Sequence, residues 1–291
     1  MPTATSAFGF QITNYGPLTT AFVAAPSCAT ESNFLQIAPS GAPDSFAYSI
    51  GCDITKSTFG QCYPSGDTVD SHRARVATDV AYNEIGYYSP GVICPAGWNT
   101  VGVAVKAKDG VLSTSGVFSP AHPVPSRVEG IFFNPPLNVL MGAIDPGETA
   151  VLCCPSSMTG GEGTCYSTLP NLTPTEGCLR LVPNDDIGSI GTTLSVYGTT
   201  ISADLLTITA TKPVTETTKT TFSGAEASRY VAVTFTPMVA LVHKATEAPA
   251  STTSASSAAS GRTSGGERTF VGSVPIYAVA VALGFAFCFS F

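Results

Sequence analysis

The sequence is poor in charge. Only 11% of its 291 residues are Asp, Glu, Lys or Arg, against about 25% in an average soluble protein. The 13 Lys and Arg residues are scattered along the chain, and the formal net charge is −7. Because nucleic-acid backbones are bound by clustered basic side chains, we expect no nucleic-acid partner.

Familiar catalytic motifs are missing as well. The chain has no G-x-S-x-G nucleophile elbow, no H-E-x-x-H zinc helix and no glycine-rich phosphate loop, which are signatures of large enzyme classes. Three histidines are present: His72 and His122 lie in polar or proline-rich surroundings and are expected to be exposed, and His243 ends an apolar run. The sequence therefore predicts no catalytic residue and no cofactor.

A secretory leader is not visible at the start. Residues 1–27 have neither a positively charged segment nor a continuous apolar core, which a signal peptide requires. A missing or misassigned gene start is the preferred explanation; an unusual secretion route and tail anchoring are the alternatives. Residues 1–15 are expected to form a disordered N-terminus.

Cysteine, by contrast, is plentiful. Eight of the nine cysteines precede residue 180 and are disulfide candidates, whereas Cys288 lies in a C-terminal apolar run. An even set of eight indicates a disulfide framework in an oxidising compartment, with 105 possible pairings. The alternative is a cytosolic protein with eight buried thiols. The candidates are Cys28, Cys52, Cys62, Cys94, Cys153, Cys154, Cys165 and Cys178.

Two features of the cysteine pattern can be interpreted further. Cys153 and Cys154 are expected to have different partners, because neighbouring Cα atoms lie about 3.8 Å apart and a disulfide needs about 4.4–6.8 Å. Pro and Gly surround the cysteines within residues 60–66, 87–98 and 148–165. These residue types favour tight turns, which a disulfide can lock onto a neighbouring strand.

The rest of the chain from residue 16 to residue 244 predicts a mainly β, disulfide-braced ectodomain with long loops. Residues 188–244 combine β-branched and aromatic residues with partial alternation, which is typical of strands. Shorter runs bounded by Gly, Pro, Asp or Asn also predict strands. They cover residues 99–108, 129–134, 138–144 and 148–154.

Residues 245–266 are dominated by Ser, Thr, Ala and Gly. Such a composition buries too little apolar surface to offset the entropy of ordering, and it predicts a disordered Ser/Thr-rich stalk. O-glycosylation of the stalk is expected, with an unmodified flexible linker as the alternative.

Residues 267–291 are interpreted as a C-terminal hydrophobic helix or anchor signal. The run from Val274 to Phe291 carries no charged side chain, and as a helix it would span roughly 27 Å. A glycolipid-anchor signal is preferred, with Ser264 as the attachment candidate and residues 256–259 as a second cleavage region. An intact membrane helix is the alternative, including a tail anchor with a cytosolic body.

The cysteine patches resemble a group of secreted or surface proteins of filamentous ascomycete fungi. The resemblance rests on Gly16–Thr20, Cys62–Pro64, Tyr88–Trp98 and Glu148–Cys165, and covers roughly residues 16–178. Relatives of this group usually end in a transmembrane helix with a cytoplasmic tail, and this chain has an additional residue before Cys94. The resemblance implies a surface location and a shared architecture, and it supplies no activity or active-site residue that can be transferred to this chain.

We therefore interpret the sequence as a cell-surface or cell-wall protein on the extracellular face of the cell membrane, attached through its C-terminal anchor. A glycan-binding module is the first alternative, with cell-wall glycans as partners. It would use exposed aromatic side chains for stacking, although the aromatic residues are interpreted as core. A secreted hydrolase, with a triad assembled across the fold, is the second. The aromatic candidates are Tyr82, Tyr87, Tyr88 and Trp98.

Modification and metal sites complete the set. Asn171 begins the sequon Asn-Leu-Thr and is an N-glycosylation candidate, although the following Pro174 disfavours the modification. Cys154, Cys165 and Cys178 could supply thiolates to zinc, but short C-x2–4-C spacings are missing, so disulfides are favoured. Calcium-loop spacing is also missing around the Asp residues, so no metal site is expected. Those residues are Asp44, Asp53, Asp185 and Asp186.

Overall fold

A computed structural model of the chain describes residues 1–7, 10–30, 35–43, 47–50, 59–78, 83–119, 127–180, 187–208 and 217–244. Within these ranges the chain forms seventeen strands in four sheets, three α-helices and two short 3-10 helices. The prediction of a mainly β fold is confirmed. The predicted stalk and anchor lie outside the described residues. None of the helices described is both long enough and apolar enough to cross a membrane.

The secondary structure is numbered in chain order. The strands are β1 (Ser6–Ala7), β2 (Phe10–Asn14), β3 (Leu35–Pro39), β4 (Tyr48–Ser49), β5 (Asn83–Tyr87), β6 (Trp98–Lys106), β7 (Leu112–Gly116), β8 (Arg127–Phe132) and β9 (Glu148–Pro155). They continue as β10 (Thr159–Gly160), β11 (Thr164–Thr168), β12 (Glu176–Arg180), β13 (Ile187–Val196), β14 (Thr199–Ile208), β15 (Thr217–Thr221), β16 (Tyr230–Pro237) and β17 (Val239–Lys244). The helices are α1 (Gly66–Thr78), α2 (Pro136–Ala143) and α3 (Gly224–Ala227); the 3-10 helices are Pro26–Thr30 and Gly60–Cys62.

A four-stranded antiparallel sheet, with strand order β17-β9-β6-β7, carries the centre of the core. Its strand β9 is buried along most of its length, and Glu148 at its start is fully buried. The Glu148 carboxylate accepts a hydrogen bond from the Asp145 backbone N–H at 2.8 Å and contacts the Met1 amino group. Because an unpaired buried charge is costly, the hydrogen bond from Asp145 helps to keep Glu148 inside.

Residues 1–15 differ from the disordered N-terminus that the sequence predicted. They contain β1 and β2, and β2 pairs in parallel with β5. Phe10 and Ile12 are 2% and 6% exposed and pack into the largest apolar cluster. The prediction was wrong because two apolar residues in alternation are a weak signal, whereas the partner strand lies about seventy residues away along the chain.

A seven-stranded sheet has the order β10-β11-β16-β3-β4-β12-β15. Its inner strand β16 pairs with β11 on one side and with the central strand β3 on the other. The outer strand β15 is rich in threonine, and its Lys219 forms an exposed ion pair with Glu176 at 2.7 Å. An edge strand of this kind, short and with a lysine, resists pairing with other chains.

The third sheet contains the hairpin β13–β14, with β8 parallel to β14. The hairpin turns at Tyr197 and Gly198, whose φ angles are 48° and 82°, as a two-residue type I′ turn requires. A polar network docks this turn: Asn138 of α2 accepts the Tyr197 N–H at 2.9 Å, and Glu162 accepts the Tyr197 hydroxyl at 2.8 Å. Glu162 also accepts the Leu137 N–H at 3.1 Å, so it stabilises the start of α2.

Helix α2 replaces the strand that the sequence predicted over residues 138–144. It begins with Pro136, and seven of its eight residues are buried. A helix buried on every side shows no amphipathic period, and a short apolar run cannot be distinguished from a strand by periodicity alone. The proline at the first turn, where a missing N–H costs nothing, was the available signal.

Three disulfide bonds are formed by the described residues: Cys28–Cys62, Cys94–Cys153 and Cys154–Cys165. Cys178 is also disulfide-bonded, whereas Cys52 and Cys288 lie outside the described residues. The expectation of different partners for Cys153 and Cys154 is confirmed. Neighbouring side chains of a strand point to opposite faces, so Cys153 joins one apolar cluster and Cys154 another.

Removing either disulfide of β9 should destabilise the fold, with the longer loop giving the larger effect. The Cys94–Cys153 bond closes a separation of 59 residues and Cys154–Cys165 one of 11. Chain entropy then predicts losses of about 4 and about 3 kcal/mol in the free energy of unfolding. Urea denaturation of the two double Cys→Ala variants would measure both values. Unchanged stability in either variant would contradict this assignment.

Candidate functional site

An open cleft lies beside the first turn of α1. Its volume is about 490 Å³, within the roughly 300–1,000 Å³ of small-molecule sites. One wall is formed by residues 22–25 and the other by residues 60–68. The second wall contains the 3-10 helix Gly60–Cys62 and the turn that leads into α1. The cleft thus lies where residues 60–66, one of the three segments in which Pro and Gly surround a cysteine, meet this helix.

The cleft has a buried floor and a polar rim. Tyr63 and Gly66 are buried beneath it. On the opposite wall Phe22 is half-buried and Val23 is 74% exposed. Four exposed side chains supply amide, hydroxyl and carboxylate groups, and no Lys, Arg or His belongs to the described residues that line the cleft. The four are Gln61, Ser65, Asp67 and Thr68.

Both walls are held in place by strong constraints. The Cys28–Cys62 disulfide joins the segment after the first wall to the second wall. The Asp70 carboxylate of α1 accepts the Phe59 N–H at 2.8 Å and the Gly60 N–H at 2.8 Å. Hydrogen bonds to a charged group are stronger than neutral ones, so Asp70 ties the start of the second wall to the helix.

Further hydrogen bonds connect the cleft with the core. The Tyr63 hydroxyl donates to the carbonyl oxygen of Met238 at 2.8 Å, and the Tyr88 hydroxyl donates to that of Pro64. The Ala96 N–H donates to the Phe22 carbonyl at 2.8 Å. The cleft is therefore fixed from both sides before any ligand arrives.

The turn into α1 depends on glycine at two positions. Gly60 has a φ of 45°, and a Cβ on Gly66 would lie 1.7 Å from the Gly60 carbonyl oxygen. Ser65 also has a positive φ, 50°, which non-glycine residues rarely adopt. The close approach of the two backbone segments requires this geometry, and it sets the shape of the rim.

An aromatic cluster packs behind the floor. Tyr63 lies 5.2 Å from Phe59 and 6.2 Å from Trp98 between ring centroids, and Tyr88 lies 5.6 Å from Tyr15. Burial raises the pKa of the Tyr63 hydroxyl well above its ordinary value, with smaller contributions from Tyr88 and Tyr15. Burial also raises the pKa of Tyr88, against a hydrogen bond with Ser65 that lowers it. These phenols stay neutral at physiological pH.

The core interpretation of the predicted aromatic residues is confirmed for Tyr87 and Tyr88, which are 3% and 1% exposed. Trp98 is half-buried against the apolar cluster that contains Cys153, and Tyr82 lies outside the described residues. These residues therefore do not form a coplanar stacking surface among the residues the structure describes. The aromatic groups of the cleft are instead Phe22 and Tyr63, which the sequence analysis did not single out.

The histidines differ from their expected roles in one case. His72 of α1 was expected to be exposed, but its Nδ1 lies 3.0 Å from Glu84 Oε1 and its ring packs against Tyr15. The two side chains are 18% and 9% exposed. His72 therefore holds α1 against β5, a role that a polar sequence context could not reveal. His243 is buried, with Nδ1 2.8 Å from the Gly91 carbonyl oxygen, and His122 lies outside the described residues.

The remaining site predictions have mixed outcomes. Asn171 lies in an exposed turn before β12, together with Leu172 and Thr173. Ser264 lies outside the described residues, as do the four Asp residues considered for calcium. In the part of the chain that the structure describes, no group of three His, Cys, Asp or Glu side chains is placed to hold a metal ion. Cys154 and Cys165 bond to each other, not to a metal.

The cleft could be found only in part from the sequence. Residues 60–66 predict a tight turn locked by a disulfide, and Cys62 in this segment does form one. The opposite wall comes from residues 22–25, which have no comparable motif.

Comparisons with family models, curated proteins and solved structures found no match. The resemblance to fungal surface proteins therefore stays a prediction.

The fold should lose stability at alkaline pH. Burial and a hydrogen bond with Tyr230 raise the pKa of Tyr48 to about 12, and the pKa values of Tyr63 and Tyr88 are raised as well. A raised pKa in the folded state means that stability is complete below the ordinary value of about 10 and is lost as pH rises through the folded value. Phenolate absorbance at 295 nm and near-UV circular dichroism should therefore change together.

The Tyr63→Phe variant provides the control. It loses the hydrogen bond to Met238 and should be less stable than the wild type at neutral pH. Because it has one buried ionisable group fewer, its stability should fall less between neutral and alkaline pH. Ionisation of all ten tyrosines near pH 10 without loss of structure would contradict the role of burial.

Proposed function

We propose that this chain is an extracellular cell-surface or cell-wall protein whose folded part, residues 16–244 together with the N-terminal strands, is non-catalytic. The observation that carries the proposal is the disulfide framework: three bonds join described residues, and Cys178 is bonded as well. Disulfides persist in oxidising compartments and are rare in the cytosol. This supports a location outside the cytosol.

The surface chemistry supports the same proposal. Exposed strand positions carry hydroxyl groups where most soluble proteins carry charges, for example Thr193 opposite Ser202 and Ser195 opposite Thr200 on the hairpin β13–β14. A hydroxyl-rich, weakly charged surface suits contact with polysaccharide, which is itself neutral and hydroxylated. Attachment to the membrane through the apolar residues 274–291 is part of the proposal.

A hydrolase receives less support. The pair His72–Glu84 places a histidine beside an acid, but both side chains are largely buried between α1 and β5. The cleft, where a substrate could enter, has no histidine among its described lining residues. A nucleophilic mechanism needs a base within hydrogen-bond reach of the nucleophile, and the described lining of the cleft contains no histidine that could act as one.

The location can be tested with an epitope inserted between Asp109 and Gly110, in the exposed turn of the hairpin β6–β7. The full-length chain in a fungal host should be labelled by antibody on intact cells. Release by a phosphatidylinositol-specific phospholipase would indicate a glycolipid anchor, and retention would indicate a membrane helix. A matched variant lacking residues 267–291 should appear in the medium. Labelling only after permeabilisation would overturn the proposal.

At this location Asn171 is accessible to N-glycosylation, and Pro174 after the sequon is expected to make the modification partial. The sequon residues are exposed in a turn, where a glycosyltransferase can reach them. The secreted chain should therefore gain electrophoretic mobility after treatment with an N-glycosidase, and the Asn171→Gln variant should not respond. Leu172→Ala keeps the sequon and should behave like the wild type. A response to the enzyme in Asn171→Gln would contradict this assignment.

A further inference from the structure

The cleft at the start of α1 is chemically suited to one kind of ligand. Its rim offers a carboxylate on Asp67, an amide on Gln61 and hydroxyl groups on Ser65 and Thr68, all on exposed side chains. Carboxylates accept hydrogen bonds, whereas amides and hydroxyls both donate and accept. A ligand that presents many groups able to donate and accept would match this rim.

The charge of the cleft excludes anionic ligands. Asp67 is the ionisable side chain at the rim, and no basic side chain belongs to the described lining. Asp67 lies in the first turn of α1, where its negative charge offsets the positive end of the helix. Phosphate or sulfate groups would therefore meet repulsion from Asp67 without a basic partner.

The first wall of the cleft also offers apolar side chains to a ligand. Phe22 is half-buried and Val23 is 74% exposed on one wall, facing the polar rim across the cleft. Sugar rings have an apolar face and a hydroxylated edge, so one ring can contact Phe22 while its hydroxyl groups reach Gln61 and Asp67. The volume of about 490 Å³ accommodates a small ligand.

The cleft is also preformed. The Cys28–Cys62 disulfide, the Asp70 hydrogen bonds to Phe59 and Gly60, and the Tyr63 hydrogen bond to Met238 fix its walls and floor. A preorganised site loses less conformational entropy on binding than a flexible one. This matters for neutral sugars, since their hydrogen bonds replace equally good bonds to water.

We propose that this cleft binds a segment of a neutral polysaccharide. Asp67 and Gln61 hydrogen-bond sugar hydroxyl groups, and Phe22 packs against the apolar face of a ring. The choice of polysaccharide rests on the proposed function at the cell surface, where such chains are abundant. The site itself rests on the chemistry of the cleft, and the two can fail separately.

The chain contains a single tryptophan, Trp98, whose ring lies 6.2 Å from that of Tyr63 under the cleft. Its fluorescence is therefore a local reporter of binding. The full-length protein, in a detergent without a sugar head group, would be titrated with two probes, laminarihexaose and chitohexaose, and with inorganic phosphate. Calorimetry would supply the dissociation constant. We expect one hexasaccharide to change the fluorescence and phosphate to have no effect.

Two variants and two matched controls locate the site. Asp67→Asn and Gln61→Ala change exposed rim residues, so the fold should be unaffected, and each should weaken binding about tenfold or more. Asp204→Asn and Gln11→Ala change an exposed Asp and an exposed Gln outside the cleft lining and should leave the dissociation constant unchanged. Circular dichroism of all four variants would verify folding.

The site would be overturned by the absence of binding of either hexasaccharide at millimolar concentration, or by equal binding of the wild type and the Asp67→Asn and Gln61→Ala variants. Binding of phosphate in place of sugar would also overturn it. A surface-located protein that binds neither probe would remove this inference and leave the proposed location intact. A protein that binds sugar through Asp67 but stays inside the cell would overturn the proposed location and leave the binding site intact.

Discussion

The adjacent cysteines of β9 are the constraint on which much of the structure depends. Because side chains alternate along a strand, Cys153 points into the cluster around Tyr63 and Tyr88, whereas Cys154 points into the larger cluster around α2. Each forms a disulfide on its own side. One strand in the middle of a sheet thereby fixes two separate apolar cores, and its neighbours β6 and β17 are held between them.

The cleft depends indirectly on the Cys153 disulfide. Cys153 holds Cys94, and Ala96 in the following turn donates its N–H to the Phe22 carbonyl on the first wall. On the other side, Tyr63 hydrogen-bonds Met238 next to β17, the strand that pairs with β9. Disulfides and hydrogen bonds, including those that the Asp70 carboxylate accepts, thus hold the walls of the cleft on the core. Exposed ion pairs contribute much less to the structure. The exposed Lys219–Glu176 pair illustrates the limit, because such pairs contribute only about 0–1 kcal/mol.

Partly buried polar groups also connect elements elsewhere in the fold. Glu162 joins α2 to the hairpin β13–β14 through its hydrogen bonds with Leu137 and Tyr197. Burial is the main cause that raises the pKa of the Tyr197 hydroxyl, and the neighbouring Glu162 carboxylate raises it further. Inside the protein, hydrogen bonds to a carboxylate are stronger than in water, and leaving one unmade is costly. The exposed faces of β13 and β14 carry serine and threonine, whereas the proposed polysaccharide site is the separate cleft beside α1.

By itself, the sequence determined the mainly β class and the presence of disulfides. It also determined the separate partners of Cys153 and Cys154, because composition, residue period and backbone distances express these properties locally. Only the tertiary structure decided that residues 138–143 belong to a helix, since burial on all sides removes any period. It alone decided that Phe10 and Ile12 build a strand, that His72 pairs with Glu84, and that residues 22–25 face residues 60–68 across a cleft. Each of these depends on contacts between segments far apart in the chain, and a linear pattern carries no information about which distant surfaces will meet.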